Sequence, residues 1–423
     1  MANTTLNASI IAKAAVGVLE NELTMAGLVY RGYEDEFDRK INGYTVGDTI
    51  TIRKPTDFTV RNTIVASPQD TTEGKLTLTI NQVAGVDFKF TSQQLTLNIA
   101  QLTERVIQPA MVQVANQIDV QVMALYKDIP QWISNVGGVN GPPVAATVMK
   151  AFNDFAVGPK NMDQRTVPQG NRSAILSPAD YWGMAGSQTA LFSQAINNKS
   201  YREGRIGMVG GVDTYMSQNA PVFTTGPGGG APLINGAAQN TAYDTTGVNT
   251  QTLITDGWTA AAAARVVVGD TFTIAGVFDV NPVTKATLSI LKQFVVAPGS
   301  TLNSDGAGNL TLTIAPQIIT TGAFQNVSAA PADNAALTFN LGAAANLTVP
   351  NNLMFDKNAF ALCMVPMVRP PGSVDCSRVS KNGISVRVIP YYDGTNDVSN
   401  WRLDCIFGTK TVDRRLAVRV SGS

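Results

Sequence analysis

The chain has 423 residues, 44% of them apolar, with 31 basic and 31 acidic side chains and no histidine. That length suits two or three cores, and the even charge balance argues against the clustered basic surface that sequence-reading nucleic-acid binding needs. The lack of histidine removes the commonest general base, the commonest metal ligand and every Ser-His or Cys-His pairing.

Charged residues make up only 15% of the chain, against roughly 25% in soluble proteins. A neutral, weakly charged surface suits a chain that associates with itself, although an ordinary neutral protein has the same balance. The three cysteines, Cys363, Cys376 and Cys405, are odd in number and lack CxxC spacing. They read as reduced thiols, not as a disulfide framework or a zinc site. The start, Met1–Leu6, lacks a basic and apolar leader, and no run approaches the ~20 apolar residues of a membrane span. Synthesis in the cytoplasm is the expectation.

Ala8–Leu23 is expected to be a helix, because Ile11, Ala15, Val18 and Leu19 share one face. Tyr44–Pro55 reads as a strand in which Ile50 and Ile52 alternate with threonines, stopped by Pro55. The stretch from Thr56 to Lys75 is largely polar. Leu76, Leu78 and Ile80 then alternate with polar residues, as do Val86, Phe88 and Phe90. Together these predict a long antiparallel hairpin with a polar tip. A lone hairpin is marginal in water, so this one needs a surface to lie on.

Thr91–Gln94 fits a capping box. From Asn98 to Asp128, Leu102, Val106, Ala110, Val114, Ile118, Val122 and Leu125 recur at helical spacing. Pro109 should kink this helix or split off a short first segment. Arg172–Pro178 reads as a strand running into a helix, with Ser177 as N-cap and Pro178 in the first turn. Ile206–Met216 reads as a glycine-broken strand.

Past Thr224–Gly230 charges become scarce up to about Pro350, and Gly, Ala, Thr and Asn dominate. Short β patterns recur at Arg265–Val268, Thr271–Ile274, Gln293–Val296 and Leu310–Ile314, with a turn at Asp305–Gly306. These predict a small β barrel or sandwich inserted into the main domain. After Pro350 the mixed character returns: Asn358–Val365 is apolar, Ile384–Pro390 alternates, Trp401–Gly408 reads as a strand, and the chain ends in Leu416–Val420.

No stretch gives convincing chemistry. Gly228–Gly230 lacks the spacing and lysine of a phosphate loop, and Gly408–Thr411 lacks the preceding glycine. Asp305–Asn309 lacks the further oxygen ligands of a calcium loop. The acidic run Glu34–Asp38 reads as solvated charge, since paired carboxylates do acid–base work only when their surroundings separate their pKa values. No catalytic, cofactor or metal residue is expected.

The order of elements is N-terminal helix, long hairpin, long helix, mixed domain, inserted β domain and return. It resembles the major capsid protein of tailed bacteriophages, in the branch of short-tailed lambdoid phages with an inserted β domain. The stretches that carry the resemblance are Leu19–Tyr30, Gly47–Pro55, Val86–Ser92, Arg202–Ile206, Gly211–Tyr215, Phe223–Gly226, Gly269–Val277, Met354–Leu362 and Phe407–Val412. The resemblance implies an α+β fold with an N-arm at residues 1–45, an E-loop hairpin at 46–90 and a spine helix with part of the peripheral domain at 91–135. The first part of an axial domain would follow at 136–226, an inserted all-β barrel-like domain at 227–350, and the axial and peripheral return at 351–423.

The implied function is a non-enzymatic coat subunit that closes an icosahedral shell around double-stranded DNA. Its implied partners are its own copies in hexamers and pentamers, a scaffolding protein, a portal protein at one vertex and packaged DNA held by non-specific contact, with no membrane. The E-loop would lie over a neighbouring subunit, and Arg61, Asp70, Glu73 and Lys75 would fix its register. One rival is a β-rich surface fibre or adhesin, favoured by the Gly/Thr/Asn-rich stretch. The other is an enzyme without histidine, working through carboxylates such as Glu34 and Asp38.

Overall fold

A computed structural model describes residues 8–33, 40–41, 44–45, 49–66, 68–91, 103–136, 139–141, 148–188, 206–247, 249–341, 345–370 and 376–422. The acidic run Glu34–Asp38, most of the capping-box motif, residues 98–102 of the expected long helix and Arg202–Arg205 lie outside the described residues. The chain divides into two compact units. One comprises Met1–Thr51, Thr77–Met123 and Phe360–Lys410; the other comprises Ile52–Leu76, Ala124–Ala359 and Thr411–Ser423.

In the first unit, helix α1 (Ala8–Glu22) buries Ile11, Ala12, Ala15, Val16 and Leu19. A short turn of helix, α2 (Met25–Leu28), follows. The long helix is in three pieces. Thr103–Ile107 is a π turn, α3 runs Gln108–Met123, and Ala124–Asp128 continues as a 3-10 turn in the second unit. Pro109 follows the π turn directly, where its missing N–H removes one i→i−4 bond from the helical run. It separates the two segments as expected. Ala110, Met111, Val114, Ile118, Val122 and Met123 form the buried stripe of α3.

The sheet of this unit runs in the order Phe360–Val365, Val398–Thr411, Ile384–Asp393, Ser377–Lys381. The strand Gln82–Thr91 also belongs here. It pairs antiparallel with Val398–Phe407, from Thr91 opposite Val398 to Gln82 opposite Phe407. This corrects the expected hairpin. Only Thr49–Arg53 and Lys75–Thr79 pair with each other, and Val86, Phe88 and Phe90 belong to a different sheet. Alternation reports a half-buried strand and is silent on its partner. Directly opposed residues also fix this sheet: Arg387 faces Asp404 and holds its two oxygens at 2.9 and 2.6 Å.

The second unit is built on a seven-stranded sheet. Its order is Val139–Gly141, Trp132–Val136, Ala417–Val420, Asn352–Asp356, Arg172–Leu176, Val212–Met216, Met208–Val209. Every residue of Arg172–Leu176 is buried, as expected of a central strand covered on both faces. Helix α4 (Phe152–Gln164) and helix α5 (Pro178–Gln188) accompany this sheet. Ser177 caps α5 as expected: its Oγ accepts from the Asp180 N–H at 3.2 Å. The glycine-broken strand is a tight hairpin, with Val212 opposite Val209 across Gly210–Gly211.

The inserted segment is a six-stranded sheet. Its order is Gly230–Ile234, Gln251–Trp258, Leu310–Ala315, Thr287–Val296, Thr271–Val280, Leu337–Phe339. The first and last strands meet through a bridge between Leu233 and Ala336, with the Ile234 N–H donating to the Ala335 carbonyl at 3.0 Å. The sheet is therefore nearly closed, which removes most of its exposed edges. Its interior holds Leu253, Phe272, Ile274, Phe294, Val296, Leu310, Leu312 and Ile314, none more than 2% exposed. At roughly 1.5–3 kcal/mol per fully buried large apolar side chain, this is a core able to fold a domain. The two ends of the insertion are tied by an antiparallel ribbon of Val222–Thr224 with Thr348–Pro350. Arg265–Val268, expected as a strand, is irregular. Its valines are explained by burial, since Val266 is fully enclosed without joining the sheet.

Candidate functional site

Among the described residues, the motifs that the sequence offers for chemistry serve structural roles. The Gly228 N–H donates to the Arg265 carbonyl at 2.8 Å, and the Thr259 N–H donates to the Gly229 carbonyl. The glycine run is thus bonded into the barrel and offers no cradle for a phosphate. Gly408–Thr411 lies within the strand Val398–Thr411. Asp305 closes its own turn, accepting from the N–H groups of Ala307 at 2.9 Å and Asn309 at 2.7 Å. Burial pushes the Cys405 thiol up to about 12, and its sulfur donates to the Ala84 carbonyl. A thiol so placed is a poor nucleophile. Among the described residues no group of three Cys, Asp or Glu is placed to hold a metal, and no helix is long and apolar enough to cross a membrane.

The feature left over is a surface. Between Arg53 and Lys75 the described residues form a loop without regular secondary structure. All four residues expected to contact a neighbour, Arg61, Asp70, Glu73 and Lys75, are exposed on it. They are not gathered into one cluster. Arg61 donates to the carbonyls of Thr63 and Ile64, both at 2.8 Å, and so braces the loop's own tip. Glu73 pairs with Arg53 at 3.3 Å in open solvent. Asp70 and Lys75 have no ion-pair partner among the described residues.

The same loop displays Phe58, Val60, Ile64 and Val65, which are 55%, 89%, 100% and 77% exposed. The sequence makes this stretch largely polar, and the structure leaves its few large apolar residues open to solvent. Ile64 and Val65 fall in no helical or strand period, and that lack of a core-facing pattern was the available signal. Side chains this exposed, in a segment without its own core, contribute nothing to burial within the subunit.

A second set of residues is buried. Asp279, on the barrel strand Thr271–Val280, accepts from Arg165 Nε and Nη2 at 3.0 and 2.7 Å and from Lys292 Nζ at 2.7 Å. Burial would raise its pKa, but the Lys292 and Arg165 cations outweigh that and hold it below the ordinary carboxylate value. Arg165 ends α4, so this triad fastens the barrel to a helix of the seven-stranded sheet. Nearby, the Trp132 N–H donates to Gln293 Oε1 at 2.8 Å, and Gln293 Nε2 donates back to the Trp132 carbonyl at 3.0 Å. Asp270 receives the N–H groups of Val267 at 2.8 Å and Gly226 at 3.2 Å, and burial pushes its pKa up to about 6. Such groups, chiefly structural, locate the barrel relative to the sheet within this unit.

Comparison with known proteins gives the arrangement a family. The family described as P22 coat protein, gene protein 5, matches residues 1–419. No curated protein matches the chain. Among solved structures, one of Mycobacterium phage Che8 is similar at 12% identity and a TM-score of 0.47, covering 94% of this chain and 90% of that one. The capsid structure of cyanophage P-SCSP1u is similar at 10% identity and a TM-score of 0.43, covering 93% and 95%. The CUS-3 coat protein I-domain matches at 28% identity and a TM-score of 0.16, over 28% of this chain and 95% of that one. With the family match running from the first residue to the last strand, the chain belongs to the P22 coat protein family, and its role is that of a phage capsid subunit.

Proposed function

We propose that this coat subunit closes an icosahedral shell of hexamers and pentamers around double-stranded DNA, guided by a scaffolding protein, with a portal protein at one vertex. The segment from Thr56 to Lys75 is the E-loop and lies over a neighbouring copy. The observation that supports this is the apolar tip, where Val60, Ile64 and Val65 are more than three-quarters exposed on a loop with no core of its own. The anchoring free energy comes from covering those side chains, at about 25 cal/mol per Å² removed from water. Arg61, Asp70, Glu73 and Lys75 set register, because exposed pairs contribute only about 0–1 kcal/mol each. DNA is held by non-specific contact, as suits a neutral chain. The subunit is made in the host cytoplasm and performs no catalysis.

The test is co-expression with a scaffolding protein, viewed by electron microscopy. The parent chain should give closed shells. The triple variant Val60→Ser, Ile64→Ser, Val65→Ser should stay a folded monomer and give none. Filaments from the parent chain would mean a fibre, and normal shells from the triple variant would remove the loop from the interface.

A further inference from the structure

The base of the exposed loop touches the inserted barrel, and the contact is close. The Lys75 N–H donates to the Thr245 carbonyl at 3.3 Å, while the Lys54 N–H donates to the Gly74 carbonyl at 2.7 Å and ties the two ends of the loop together. At Gly74 a side chain would collide with the Tyr243 hydroxyl, and Tyr243 Cζ lies 3.0 Å from where a Cβ would sit. At Gly247, with φ of +99°, a Cβ would strike the Lys75 carbonyl and come within 3.2 Å of Leu76 Cα. Gly247 thus lets two backbones meet, and Gly74 leaves room for the Tyr243 ring against the loop's end.

The barrel side of this contact is stiff. Tyr243 stacks on Phe324 with ring centroids 3.7 Å apart and planes 4° from parallel. The Asp244 carboxylate accepts from the N–H of Thr246 at 2.7 Å, and the Asp244 N–H donates to Gln317 at 3.0 Å. On the other side of the loop base, Asp57 pairs with Arg415 at 3.3 Å, and Arg415 is itself held by Asp413 at 2.8 Å. The loop is gripped at Asp57 and at Gly74–Lys75, and its apolar tip lies between these points.

We infer that Tyr243 is a positioning residue for assembly: through segment 241–247 the inserted barrel sets the direction in which the E-loop leaves its own subunit. This rests on the reading of that loop as an inter-subunit contact. A loop aimed in advance loses less freedom on docking, and a fixed exit angle gives every copy the same contact geometry. Loosening the grip should therefore spread the curvature of the shells more than it reduces binding.

The test has two arms. Hydrogen exchange on the unassembled full-length subunit reads the grip alone. Tyr243→Ala should speed exchange at the Lys75 and Lys54 amides about tenfold, and Tyr243→Phe, which keeps the stacked ring, should restore values near the parent. Gly74→Val should act like Tyr243→Ala although it leaves the barrel's sequence unchanged, and Gly170→Ala, at a site with open space around it, should do nothing. Assembly viewed by electron microscopy then reads the consequence: Tyr243→Ala and Gly74→Val should give particles of mixed diameter or open sheets. Unchanged exchange at Lys54 and Lys75 in both variants overturns the inference. So does faster exchange with uniform particles of parental diameter. Shells formed normally by the Val60/Ile64/Val65 serine variant would instead refute the loop's role at the interface while leaving the exchange result standing.

Discussion

Asp279→Ala removes the carboxylate to which both Arg165 and Lys292 are bonded. Their side chains are only 4% and 9% exposed, so two cations are left in a space that water barely reaches. Removing one partner of a buried pair costs about 3–5 kcal/mol, because the remaining charge is uncompensated. With two cations stranded, the loss should lie near the top of that range. Total stability is about 5–15 kcal/mol, so the loss is a large fraction of it. At roughly 2–4 °C per kcal/mol, the unfolding midpoint should fall on the order of 10–20 °C. Urea and thermal unfolding of the unassembled subunit, followed by tryptophan fluorescence, measure this. A companion variant, Asp279→Leu with Arg165→Met and Lys292→Met, replaces the whole triad by apolar side chains and should recover most of the loss. The pH dependence has a definite sign. The two cations hold the folded Asp279 pKa below its unfolded value of about 3.9. Its stabilisation is complete above about pH 4 and is lost as pH falls further through the folded pKa. The gap between parent and Asp279→Ala should therefore persist at neutral pH and narrow only in stronger acid. A loss under about 1 kcal/mol, or an apolar triad as unstable as the single variant, would refute the claim that charge pairing fastens the barrel here.

Asp270 runs the opposite way: its folded pKa of about 6 lies above the unfolded value, so its contribution is full below about pH 4 and is lost as pH rises through 6. Asp270→Asn should flatten the stability profile between pH 4 and 7 by up to about 3 kcal/mol; identical slopes in parent and variant would contradict this. Cys405, with its thiol near 12, should react with iodoacetamide at pH 8 roughly a thousandfold more slowly in the folded chain than in denaturant, as mass spectrometry of the labelled peptide would reveal. Asp119 accepts the N–H groups of Thr24 at 2.8 Å and Ala26 at 2.9 Å from a buried position on α3. Asp119→Ala should cost about 1–3 kcal/mol and speed exchange at those two amides, and protection unchanged at both would exclude the carboxylate as their anchor.

The parts of the fold legible in the sequence are those whose burial has a short period. Ile11, Ala15 and Leu19 lie inward as their spacing requires, and so do Val114, Ile118 and Val122. Ser177–Pro178 begins its helix because capping is decided within a few residues. Strand partners were less legible. Val86, Phe88 and Phe90 signal a strand, but their partner lies more than 300 residues away at Val398–Phe407, and nothing local distinguishes it from the nearer Leu76–Leu78. The Asp279 triad was hidden for the same reason: Arg165 and Asp279 are 114 positions apart, and each alone looks like an ordinary surface charge.

The apolar loop was illegible for a different reason. Sequence patterns find side chains that a fold buries, because burial imposes a period. A residue left exposed by its own subunit has no period to obey, so Ile64 and Val65 look like noise beside Arg61 and Asp70. They stand out only once the structure shows them exposed on a loop. Phe58 and Val60 share that standing, with Pro55 stopping the strand before them and Gly74 admitting Tyr243 after them. The glycine is the more informative of the two. A proline only ends a strand, whereas a glycine pressed against a tyrosine hydroxyl shows that the end of this loop packs closely against the barrel.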